Sequence, residues 1–168
     1  VFLMIIAISF LRGGRFLISG ISFGFAISAK FSMAIALPLI IIYIYKRNGL
    51  KKHLKSFCIA TFFTFFITTL PWSFTDSFLN MVMFPKETSR IFNVYLSYGD
   101  NLKIYLLPTA YFIVLYLLWR IRRITFDLFI IFIGIGFFSL LILLPPSPGW
   151  FLWVLPFLVF YQLRSEEK

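Results

Sequence analysis

The sequence predicts an all-α fold: a polytopic transmembrane helix bundle of about six or seven spans, with one external loop carrying a short amphipathic helix. Three observations predict it. The 168 residues are 61% hydrophobic and 13% charged, with 24 Phe, too apolar for a soluble domain that buries one face of each element. The apolar residues fall in long runs. The Lys and Arg residues stand between these runs, whereas a nucleic-acid surface would gather them on one face of a polar protein. Some 20 helical residues cross a hydrocarbon core of about 30 Å, and backbone polar groups in lipid must be satisfied within helices.

The first run, Val1 to Leu11, has no basic segment before it and no small-residue cleavage site after it. It reads as a truncated span, and the chain as the C-terminal part of a longer protein. Two runs follow, Phe16 to Ala29 and Phe31 to Tyr45. One helix from Arg15 to Lys46 would be roughly 45 Å long, so two short helices meeting near Lys30 are expected instead. Phe57 to Trp72 is the next span, then residues 73–101 form an external loop. Within that loop, Thr75 or Asp76 is placed to cap a short helix running to Phe84, lying on the membrane surface. The last spans are Leu102 to Trp119, Phe126 to Leu144 and Trp150 to Leu163.

Charge orients these spans. Arg12 and Arg15, then Lys46, Arg47, Lys51, Lys52 and Lys55, then Arg120, Arg122 and Arg123, then Arg164 and Lys168 form four clusters expected on the cytoplasmic side. The long loop and its edge balance Lys86, Arg90 and Lys103 against Asp76, Glu87 and Asp100, so it belongs outside. Composition is otherwise uniform, which predicts a single transmembrane domain over residues 1–168.

Little catalytic chemistry is available. A lone Cys58 in an apolar run and a lone His53 in a basic loop allow no disulfide framework, no metal set and no Ser/His/Asp triad. No phosphate-binding glycine loop occurs and no cofactor is expected. Asp76, Glu87 and Asp100 lack paired spacing, so the catalytic residue is unassigned. Gly20, Gly24, Ser28 and Ser32 recur every four residues, the pattern of a close helix contact. Lys30 is the one ionisable group between Arg15 and Lys46. It reads either as a snorkelling turn lysine or as a partner for a phosphate. Lys86 and Arg90 are cations suited to a phosphate leaving group, and Tyr95 and Tyr98 offer ring faces for a sugar. Trp150 and Trp153, three apart before Pro156, form either an interfacial belt or a cavity wall.

Two stretches carry a family resemblance. Phe16-Leu-Ile-Ser-Gly-Ile-Ser-Phe-Gly-Phe-Ala-Ile-Ser-Ala-Lys-Phe-Ser-Met-Ala-Ile-Ala-Leu-Pro38 resembles a segment of the polytopic GT-C glycosyltransferases, where a glycine-containing helix, a lysine and a helix near a proline succeed one another. Pro145-Pro-Ser-Pro-Gly-Trp-Phe-Leu-Trp-Val-Leu-Pro-Phe157 is similar to a late external turn of that superfamily. The resemblance implies an integral membrane enzyme that moves a sugar from a polyprenyl-phosphate carrier to an acceptor on the extracytoplasmic face. It implies a lipid-phosphate role for Lys30 and a cavity-wall role for Trp150 and Trp153, with the catalytic carboxylate upstream of this chain. The expected partners are the lipid bilayer, in the cell membrane, and a lipid-linked sugar donor, with no nucleic acid. The competing readings are a transporter or flippase and a non-catalytic membrane subunit. The sugar, the acceptor and the oligomeric state stay open.

Overall fold

The computed structural model describes residues 1–47, 49–78, 91–99, 102–144, 149 and 151–166. They are mostly helical and divide into two compact units, Val1–Pro85 and Lys86–Lys168. Where the sequence reads as a single domain, the boundary falls inside the loop expected at residues 73–101. Uniform composition reports the solvent around the helices and says nothing about which helices pack together.

The first unit opens with α1 (Phe2–Arg12) and α2 (Phe16–Ala29), antiparallel across a glycine turn. Gly14 has φ +74°, Arg15 N–H donates to Phe10 O at 2.9 Å, and Gly14 N–H donates to Leu11 O at 3.2 Å. This is the Schellman ending, which needs a left-handed residue after the helix and satisfies its last carbonyls. The buried Ser19 hydroxyl on α2 donates to Ala7 O of α1 at 2.7 Å. Next, α2 stops at Ala29, Lys30 is extended, and a 3-10 turn (Phe31–Ile35) leads into α3 (Ala36–Lys46). Pro38 lies in the first turn of α3, where its missing N–H costs least.

After the Arg47 connection, α4 (Lys51–Thr69) runs back. It lies antiparallel to α3, with Lys51 Nζ 4.2 Å from the Tyr45 ring centre near one end and the Phe31 and Phe65 rings 6.3 Å apart near the other. Against α2 it lies parallel. A Cβ placed on Gly20 would sit 2.6 Å from Phe57 O, and one on Gly24 would sit 2.8 Å from Thr61 O. The small-residue stripe is therefore the seam along which the α2 and α4 backbones meet. Met4, Phe23, Met33, Leu39, Tyr43 and Phe57 fill this unit's core. The short α5 (Asp76–Phe78) follows, and the rest of the amphipathic helix expected up to Phe84 lies outside the described residues.

The second unit is mostly helical, as expected, and adds one short hairpin that the sequence reading did not include. Strands β1 (Tyr95–Tyr98) and β2 (Leu102–Tyr105) form an antiparallel hairpin, pairing Tyr95 with Tyr105 and Tyr98 with Leu102, and Gly99 has φ +67° at its turn. Tyr, Leu and Ile favour strands, and a glycine with positive φ suits the three-residue connection. The span expected from Leu102 accordingly begins at α6 (Leu106–Arg120). It is followed by α7 (Phe126–Leu143) and α8 (Phe151–Glu166), with Pro156 inside α8. Thr125 caps α7 by accepting from Leu128 N–H at 3.2 Å, and Asp127 in the first turn complements the helix dipole. Along the α7–α8 contact, Phe157 stacks on Phe137 at 6.0 Å, and its Cβ lies 3.0 Å from where a Cβ on Gly134 would be.

Among the described residues, α7 is the one helix both long and apolar enough to cross a membrane, with 18 residues at mean hydropathy 2.6. Only 44% of it is buried within the protein, unlike the mostly buried core helix of a soluble domain. The apolar helices Phe2–Arg12, Phe16–Ala29, Phe31–Lys46, Leu106–Arg120 and Phe151–Leu163 are shorter.

Candidate functional site

The two ends of the first unit differ in chemistry. The antiparallel and parallel contacts above bring the α1–α2 turn and the α3–α4 connection to one end, where Phe16 stacks on His53 at 4.6 Å. Lys30 and the end of α4 lie at the other.

At the Lys30 end, the Ser28 hydroxyl is 2.5 Å from that of Thr68, and each hydroxyl also reaches its own helix, to Gly24 O and Thr64 O. Two helices are thereby pinned one turn before Lys30. Lys30 itself is exposed, and partial burial pushes its ammonium pKa below the ordinary lysine value, because desolvation disfavours the charged form. Ser32, two residues on, holds a buried hydroxyl with no hydrogen-bond partner among the described residues. One turn past Thr69, Trp72 is exposed, and Phe74 is more so. Aromatic rings of this kind are enriched where a protein meets the membrane interface.

An apolar groove of about 290 Å³ opens between α2, the 3-10 turn, α3 and α4; Phe31, next to Lys30 in the chain, lines it, and Lys30 itself does not. Phe31 and Phe65 lie nearest the lysine, Leu37 and Thr61 are deeper, and Ile41 and Cys58 line the far end. Thr61 is 5% exposed and its hydroxyl has no partner among the described residues, although Thr68 and Thr69 on the same helix bond back to preceding carbonyls. The volume is close to the lower bound of small-molecule sites, and such sites are mostly apolar with a few placed polar groups.

None of the other sequence-predicted residues that the structure describes lines this groove. Lys86, Arg90 and Trp150 lie outside the described residues. Trp153, in the second unit, is buried, with its ring edge-on to Phe137 at 6.3 Å, so the structure places it in the α7–α8 packing. Tyr95 and Tyr98 are on β1, where Lys103 Nζ lies 4.7 Å from the Tyr95 ring centre. Of the loop and helix-start carboxylates, Asp76 begins α5 and Asp127 lies in the first turn of α7, while Glu87 and Asp100 lie outside the described residues. Among the described residues no three of His, Cys, Asp or Glu come together as a metal set.

Sequence reasoning missed Thr68, Thr61 and the groove. Thr61, Thr64 and Thr68 are spaced like the Gly20–Ser28 stripe they face, and reading the two stripes as a pair would have found the seam. No protein-family model, curated protein or solved structure matches this chain.

Proposed function

We propose that the chain is part of a multi-pass integral membrane glycosyltransferase that takes a sugar from a polyprenyl-phosphate carrier and passes it to an acceptor on the extracytoplasmic face. The observation that carries this reading is an apolar groove whose lining includes Phe31, the residue that follows Lys30 in the chain. Lys30 is followed at once by Phe31, which lines the groove, so a lipid with an anionic head and a hydrocarbon tail matches both features. The multi-pass arrangement is supported by the alternation of apolar helices with basic connections. The loop cations Lys86 and Arg90 and the tryptophans Trp150 and Trp153 are assigned to the donor on sequence grounds alone.

A transport site is expected near the bilayer midplane. Lys30 lies at the end of its unit, beside exposed aromatic residues, which favours chemistry at an interface. The test uses membranes holding the intact protein and a labelled polyprenyl-phosphate sugar. Lys30→Gln is expected to lower turnover by about tenfold or more, in keeping with loss of one charge-assisted contact, while Lys30→Arg retains most of it. Equal turnover in Lys30→Gln and wild type would overturn the role of Lys30, and absence of transfer by the wild type would overturn the reading as a whole.

A further inference from the structure

The opposite end of the first unit carries a charge pattern that the donor groove does not use. Eight Lys and Arg residues precede the first acidic residue of the chain, Asp76, and seven of them fall on two connections, the α1–α2 turn and the α3–α4 segment. The fold brings these connections together, as the Phe16–His53 stack shows. Arg12, Arg15, Arg47, Lys51, Lys52 and Lys55 are all exposed there.

Their placement needs a counter-charge. Lys51, Lys52 and Lys55 occupy the first turns of α4, whose first turn has no acidic residue and whose N-cap, Leu50, makes no side-chain cap. Cations there oppose the positive end of the helix dipole. Aromatic rings offset part of this. Lys51 lies over Tyr45, while the Arg47 guanidinium donates to the buried Tyr43 hydroxyl and lies over its ring at 5.6 Å. Immediately along the helices the surface turns apolar, with Leu17 and Ile18 on α2 and Ile59 and Phe63 on α4 all exposed.

The geometry points to a docking surface for anionic phospholipid headgroups at this end of the first unit, the two basic connections holding phosphates while the adjoining apolar band contacts the acyl chains. Nucleic acid fits less well, because the band beside the cations would then face water. The inference rests on the membrane reading above, but concerns different residues from the donor site.

The test titrates the intact protein in neutral detergent with phosphatidylglycerol and, separately, phosphatidylcholine, counting bound lipids by native mass spectrometry. Phosphatidylglycerol is expected to be retained at least tenfold more tightly, since each cation near an anionic surface is worth about a fivefold factor. That preference is expected to fall with added salt. The variant R15Q/K51Q/K52Q/K55Q loses the preference, while R120Q/R122Q/R123Q in the second unit keeps it. Equal retention of the two lipids by the wild type overturns the inference without any mutant having to fold. So does a preference that survives R15Q/K51Q/K52Q/K55Q, or one that short RNA competes away. Failure of the wild type to insert into bilayers would instead overturn the membrane reading.

Discussion

At Gly20 and Gly24 the cost of a single methyl group is set by what it would strike. On Gly20 the Cβ meets Phe57 O at 2.6 Å and the Ala60 side chain at 2.8 Å, and a backbone carbonyl cannot swing aside as a flexible side chain can. Gly20→Ala is therefore expected to part α2 from α4 and destabilise the first unit by about 1–3 kcal/mol, the range for overpacking. Gly13→Ala provides the contrast, since its φ is −74° and its Cβ would lie 3.6 Å from Phe10 O, an ordinary contact. Equilibrium unfolding in detergent should separate the two, and equal midpoints would show that the seam is not tightly packed. The Ser28–Thr68 contact is worth less. Thr68 already donates or shares its hydroxyl within α4, so Ser28→Ala should cost only about 0.6 kcal/mol, the mean for such interhelical bonds. At this scale the sequence was legible where residue size carried the message, as in the four-residue stripe. It was silent on the unpartnered Thr61 hydroxyl, because a threonine in an apolar helix ordinarily bonds back to its own backbone.

The elements follow local chemistry where a terminator or cap is present. Gly13-Gly14 ends α1, and Thr125 with Asp127 starts α7, each within two residues of the edge read from hydropathy. Thr125→Ala removes the acceptor for Leu128 N–H and is expected to cost about 1 kcal/mol, visible as faster amide exchange in the first turn of α7. The hairpin escaped notice for a physical reason. Tyr, Leu and Ile raise hydropathy whether they are in a strand or a helix, so Leu102–Tyr105 merged with the apolar run behind it. Its stability depends on ring contacts, with Tyr105 edge-on to Phe92 at 5.2 Å and to Tyr95 at 6.2 Å, because every strand residue is exposed. A two-stranded ribbon alone is marginal in water. Tyr105→Ala should abolish exchange protection in both strands and leave α7 and α8 protected, whereas unchanged protection at Leu96 and Ile104 would refute the dependence on the rings.

For the molecule as a whole, the decisive physical quantity is length against bilayer thickness. Hydropathy made the apolar helices legible, but it could not separate a helix long enough to span a membrane from a shorter one, since apolar content and extent are different variables. The 14 residues of α2 rise about 21 Å and the 11 residues of α1 about 16 Å, both below a hydrocarbon core of about 30 Å. If the first unit crosses the bilayer, it does so by drawing the headgroups inward at its basic end and by placing Lys30, Trp72 and their neighbours at the other interface. That arrangement has a consequence for accessibility. With Cys58 replaced by alanine, single cysteines at Gly13 and Ser73 stand at opposite ends of the unit, and a membrane-impermeant maleimide added outside sealed vesicles should label one and spare the other. Ser73→Cys is the site expected to react from the outside of cells if the basic connections face the cytoplasm, as the positive-inside rule predicts. Labelling of both from one side would mean that this unit lies on the membrane or beside it, and the short helices would then be amphipathic anchors instead of spans. Reconstitution provides the matching energetic test: a unit built from short helices should be more resistant to unfolding in bilayers of short acyl chains than in thick ones, since each ångström of mismatch costs a fraction of a kcal/mol.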